Sequence, residues 1–191
     1  MKKALILIDY INEICHKDGA FGNYPMLAAN DAFNKLNKLL EHARKSDWLV
    51  VWIIVGFSKN YLEANAKSPI FSKAIEYKKL ELGTWGTEII ADLNYDLNET
   101  IICKNVVNPF YGTNLDHVLR NNGVEELYLA GVSTEVAIQS ATRDAHDRGY
   151  VVNVIGDCCA SSHPHRHEAS LEMLTYMANV IDSKSVVNDA K

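Results

Sequence analysis

With 191 residues, 48% of them hydrophobic and 23% charged, the chain has the length and composition of one folded domain, which excludes disorder and fibrous repeats. A net charge of −5 opposes a phosphate backbone, so nucleic acid is not an expected partner. No apolar run approaches the roughly 20 residues that cross a bilayer, and the start Met1-Lys2-Lys3 lacks the pattern of a signal peptide. A cytoplasmic chain without membrane contact is expected.

Lys3 to Asp9 (KALILID) is a continuous apolar run ending in a carboxylate, as in a strand buried on both faces of a parallel sheet. Leu27 to Lys45 carries apolar residues at helical spacing, and Ser46-Asp47 stop it before a second strand, Trp48 to Val55. Ser58 to Asn98 has no regular strand pattern and one expected helix around Ile70 to Leu80. It is either a lid or oligomer surface, or a plain insertion. Glu99 to Lys104 reads as strand three, Thr113 to Asn122 as a helix closed by Gly123, and Glu126 to Ala130 as strand four. A helix over Thr134 to Arg148, with Asp144 and Arg148 one turn apart, precedes strand five at Tyr150 to Ile155. Pro164 to Met177 is the last long helix and Asn179 to Asp182 a short final strand.

Strands alternating with helices imply right-handed parallel βαβ units. The expected fold is an α/β three-layer sandwich, residues 1–191 as one domain, around a doubly wound, mainly parallel, six-stranded sheet. Ligands of such sheets lie beyond the carboxyl ends of the strands, where the strand order reverses. Asp9, Lys104 and Gly131 all stand at strand ends of that polarity.

Asp9 follows a strand with no other ionisable group after Lys3, so partial desolvation is expected to raise its pKa toward values useful in proton transfer. A cap or loop hydrogen bond explains the same position. Lys104 is placed either to pair with Asp9 or grip an anion, or simply to face solvent. From Gly131 to Tyr150 a strand turns tightly into a helix, whose first amides are expected to be free to hold an oxyanion.

Together, ALILIDYIN, ICKNVVNPFYGTNLDHVLR and GVSTEVAIQSATRDAHDRGYVVNVIGDCCASSHPHRHEASLEML resemble the isochorismatase-like hydrolases, in order and over nearly the whole chain. The resemblance implies that Asp9 and Lys104 are active-site residues acting on a small-molecule substrate. It also implies a cis bond at Val132–Ser133, an oxyanion role for the Ser133 and Ala137 amides, and a dimer or tetramer. It assigns Phe110 to the substrate pocket, although Asn108-Pro109-Phe110 replaces the more usual Ser-Ala-Phe. Trp85, between glycines, is expected either to cover the pocket, or to sit in a subunit contact or the core.

The main departure is Ala137, which stands where most relatives of this type carry a nucleophilic cysteine. Three readings follow: a cysteine-free isochorismatase-type cleavage of a vinyl ether with Asp9 as general acid, an amidohydrolase scaffold whose nucleophile is replaced, or a binding module without catalysis. Cys103 is expected in the core and Cys158 and Cys159 in packing roles, with reduced thiols throughout. Cys15 is the one conceivable stand-in nucleophile. No cofactor or metal is expected: His163, His165 and His167 flank a helix start, and Val55-Gly56-Phe57-Ser58 lacks the Asp-x-His motif of the metal-binding nicotinamidases.

Overall fold

The computed structural model describes residues 1–188. Six strands form one sheet: β1 (Lys2–Ile8), β2 (Leu49–Val55), β3 (Thr100–Lys104), β4 (Val124–Gly131), β5 (Val151–Ile155) and β6 (Asn179–Ile181). Their order is β3-β2-β1-β4-β5-β6, and every pairing is parallel. The chain runs outward from β1 to β3, then returns to add β4 on the other side of β1. The reversal therefore lies between β1 and β4, beside Asp9 and Gly131.

Alternation along β1 divides the core. Leu5 and Leu7 point to one face and pack with Leu36, Leu39, Leu40 and Ala43 of α3 (Ala32–Lys45). That face also takes α1 (Asn12–Cys15), α2 (Tyr24–Ala29), α4 (Phe71–Glu76) and α8 (Ser183–Asn188), through residues such as Ile14, Leu27, Phe71 and Val186. Ala4, Ile6 and Ile8 point to the other face, against Leu115 and Leu119 of α5 (Leu115–Asn121), Ala141 and Ala145 of α6 (Gln139–Asp147) and Leu174 of α7 (Pro164–Leu174). Two apolar layers thus make β1 a continuous hydrophobic run.

The expected helix over Leu27 to Lys45 is two helices, broken where Asp31 takes a left-handed φ of 54°. An aspartate tolerates that conformation, and the break passes unseen in a periodicity count because both pieces bury the same side. The helix expected around Ile70 to Leu80 ends at Glu76, and Lys78 and Leu80 take positive φ. The segment is instead fastened by isolated bridges, Ile11 to Ile89 and Phe57 to Glu81. Cys103 is exposed rather than in the core, because β3 is an edge strand whose outward residues meet solvent. The pair Asp144 and Arg148 forms as spaced, Oδ1 to Nε at 2.6 Å. Among the described residues no helix is long and apolar enough to cross a membrane.

Candidate active site

Asp9 follows β1 directly in a left-handed conformation (φ 61°), with its amide donating to the Ile53 carbonyl at 2.8 Å. The sharp change of direction leaves the carboxylate buried at the strand end. Lys104 closes β3, two strands away, and is only 2% exposed, so its long side chain crosses the end of β2 to reach the aspartate. Its Nζ donates to Asp9 Oδ2 at 2.8 Å. Asp9 Oδ1 is buried and has no hydrogen-bond partner among the described residues. Burial pushes the Asp9 pKa up, and the Lys104 charge and hydrogen bond, with a backbone hydrogen bond at Val55, only partly oppose it.

The second part of the site is the turn after β4. A Cβ on Gly131 would stand 2.6 Å from the Ile8 carbonyl oxygen, so only glycine lets β4 lie this close to the end of β1. The Val132–Ser133 peptide bond is cis. Thr134 anchors the turn from the far side: its amide and hydroxyl both donate to the Ala160 carbonyl, at 2.9 and 3.0 Å, and the hydroxyl also meets His167 Nδ1 at 2.8 Å. Ser133 Oγ donates to Asn23 Oδ1 at 3.0 Å. A single π turn, Thr134–Ile138, then leads into α6.

That turn changes the expected oxyanion arrangement. The Ser133 carbonyl accepts from the amides of Val136 at 3.1 Å, Ala137 at 3.0 Å and Ile138 at 3.4 Å. The Ala137 amide is therefore already engaged, because the wide π turn gathers three donors onto one acceptor. The Ser133 amide has no protein acceptor among the described residues.

A cavity of about 300 Å³ brings together Asp9, Lys104, Val132, Ser133 and Ala137. Phe110 and Trp85 are not on its wall. Asn108 explains the first: its side chain donates to Asp144 Oδ2 at 2.6 Å and accepts from the Phe110 amide at 2.8 Å, tying the loop to α6. The Phe110 ring consequently stacks 6.2 Å from Tyr150, under the Arg148 guanidinium, in the core. Trp85 is 45% exposed, edge-on to His16 at 5.2 Å, and its carbonyl accepts from Asn12. The apolar wall comes instead from Phe21, Phe71, Leu80 and Val107, and Asn23 and Lys73 add polar groups. Phe21, Asn23, Leu80 and Val107 come from irregular segments, where the chain carries no periodic signal, and Phe71 and Lys73 from the short helix α4.

No cysteine is among the residues that line the cavity. Cys15 is fully buried off the cavity wall, its Sγ directed at the Asp9 carbonyl oxygen at 3.5 Å, and burial and the Asp9 charge push its pKa up. Burial pushes Cys159 up to about 12. His167 is held by Thr134, while the His163 and His165 rings stack edge-on. Among the described residues no group of three or more His, Cys, Asp or Glu side chains is placed to hold a metal ion.

The family model described as the isochorismatase domain matches residues 3–185. The chain belongs to the isochorismatase family. This isochorismatase-family chain is a hydrolase of the isochorismatase-like class, and its relatives have amidase names. It is 28% identical to the ureidoacrylate amidohydrolase RutB of Acinetobacter baylyi, over 97% of this chain and 82% of that one. The N-carbamoylsarcosine amidase of Thermoplasma acidophilum superposes with a TM-score of 0.76 at 26% identity, covering 96% of this chain and 97% of that one. A cysteine hydrolase from Pseudomonas syringae pv. phaseolicola shares the fold, with a TM-score of 0.89 at 22% identity over 98% of this chain and 91% of that one.

Proposed function

We propose that this chain hydrolyses a small polar metabolite by proton transfer at Asp9, without a covalent intermediate at position 137 and without a cofactor. The observation that carries this reading is the Asp9 carboxyl: buried, raised in pKa, held by Lys104 through one oxygen and unpartnered at the other, on the wall of a cavity that also holds the Ala137 methyl. A carboxyl group whose pKa burial has raised is suited to give and take a proton in general acid–base catalysis.

The chemistry that uses such a donor is cleavage of a vinyl ether, as in isochorismate. Asp9 delivers its proton to the terminal enol carbon, and Lys104 stabilises the carboxylate left behind. Water adds to the resulting oxocarbenium carbon and returns a proton to Asp9. The hemiketal so formed collapses to an alcohol and pyruvate. Ser133, whose amide is free of protein acceptors, is suited to hold a substrate oxygen.

A second reading is favoured by the names of the relatives: an amidohydrolase scaffold in which Ala137 has replaced the nucleophile. One experiment separates the two. Isochorismate and a panel of small ureido acids and amides are offered to the chain, to Asp9→Asn and to Ala137→Cys, with pyruvate and ammonia as readouts. Pyruvate release that falls by roughly 10²- to 10⁴-fold in Asp9→Asn is the expected result. Ammonia release that begins only with Ala137→Cys would replace the first reading by the second. Binding without turnover in any variant would leave a non-catalytic module.

A further inference from the structure

The charges on the cavity wall do not balance. Three ionisable side chains line it: Asp9, Lys104 and Lys73. Asp9 and Lys104 are 2.8 Å apart and neutralise each other when the carboxyl is ionised. Lys73 lies on α4, exposed toward solvent, and its ammonium has no ion pair or side-chain hydrogen bond among the described residues. Glu76, one turn further along α4, is not within ion-pair distance of it. Lys79, by contrast, is paired with the buried Glu13 at 3.0 Å.

The covering segment is biased the same way. Residues 59–79 hold five lysines and two glutamates, in a chain whose net charge is −5. One of those glutamates, Glu63, accepts from the Ser58 hydroxyl at 2.7 Å, and it does not line the cavity. The rest of the wall is apolar apart from Asn23, Ser133 and Ser162. A lone cation at the rim of a small apolar cavity attracts one negative charge, and apolar walls weaken the screening that water would otherwise supply.

We infer that Lys73 is a specificity-determining residue that selects substrates bearing a carboxylate, held at the α4 side of the cavity while the group to be cleaved lies at Asp9. This names a substrate class for the function proposed above and rests on that reading for the reaction, but its test does not. N-carbamoylglycine, acrylate and benzoate are titrated calorimetrically into the whole chain, each beside its neutral primary amide.

At least one acid is expected to bind about fivefold tighter than its amide, a preference that shrinks as salt rises. Lys73→Gln is expected to abolish the preference by weakening the acid alone, and Lys73→Glu to reverse it. Lys67→Gln, on the same segment but off the cavity wall, is expected to retain it. If no acid binds tighter than its amide, or if Lys73→Gln weakens acid and amide equally, the inference is overturned. Turnover unaffected by Asp9→Asn would sink the acid–base mechanism and leave this preference standing, so the two failures are distinguishable.

Discussion

The two halves of the cavity wall are built in opposite ways. On the strand side, Asp9, Lys104, Val132 and Ser133 stand at the ends of β1, β3 and β4, where sheet register fixes their spacing to within a hydrogen bond. On the cover side, Pro69, Ile70, Phe71 and Lys73 come from a short helix and its lead-in, held by Phe71 in the core, with the isolated bridges at Glu81 and Ile89 further along the chain. Under the proposed function the difference separates tasks: the rigid side would hold the groups that exchange protons, and the cover side would present the groups that meet different ligands.

The strand side should be the more costly to disturb. Lys104→Met leaves a buried carboxylate without its partner and is expected to destabilise the chain by about 3–5 kcal/mol at pH 7, read by urea unfolding. The loss has a definite sign with pH. Because the folded Asp9 pKa is raised above its ordinary value, the stability linked to Asp9 protonation is fully present below that ordinary value and is lost as pH rises through the folded one. Removing Lys104 moves the folded value higher still, so the gap between variant and parent should narrow as pH falls toward 5. An equal gap at both pH values would mean that the ion pair is not what the substitution broke.

On the cover side the largest effect belongs to its anchor. Phe71→Ala removes a 7%-exposed ring that packs edge-on against Phe57 at 5.3 Å, and should cost about 3 kcal/mol. If it costs less than about 1 kcal/mol, the cover is looser than its contacts indicate. The link between the halves is smaller. Asn23→Ala removes the acceptor of the Ser133 hydroxyl, and a double-mutant cycle with Ser133→Ala should give a coupling of about 1 kcal/mol. The smallest effect is at Lys73, where Lys73→Gln should leave stability within about 0.5 kcal/mol in the same unfolding assay. A larger loss would make it a structural residue and remove the contrast.

Much of the strand side was readable from the chain. KALILID ending in a carboxylate, a lysine closing a later apolar run, and a glycine at the fourth strand end are local patterns, and a parallel sheet converts each into a place at one rim. The burial of Lys104 was less readable, since a lysine at a strand end faces solvent as easily as a partner, and only the β3-β2-β1 order puts it across from Asp9. Two assignments made by resemblance separated from the cavity. Phe110 was drawn into the core by Asn108, and Trp85 remained at the surface against His16. The exposure of Cys103 depended likewise on which strand closes the sheet.

The sequence by itself determined the alternation of strands and helices, the rim residues Asp9, Lys104 and Gly131, and the absence of a thiol at position 137. Tertiary structure decided the rest: that Lys104 turns inward, that the Ala137 amide is taken by the Ser133 carbonyl, and that Phe21, Phe71 and Lys73 form the wall. The physical reason is range. Strand and helix periods arise from neighbours a few residues apart, whereas a cavity wall is a set of side chains brought together by packing between segments that share no local pattern.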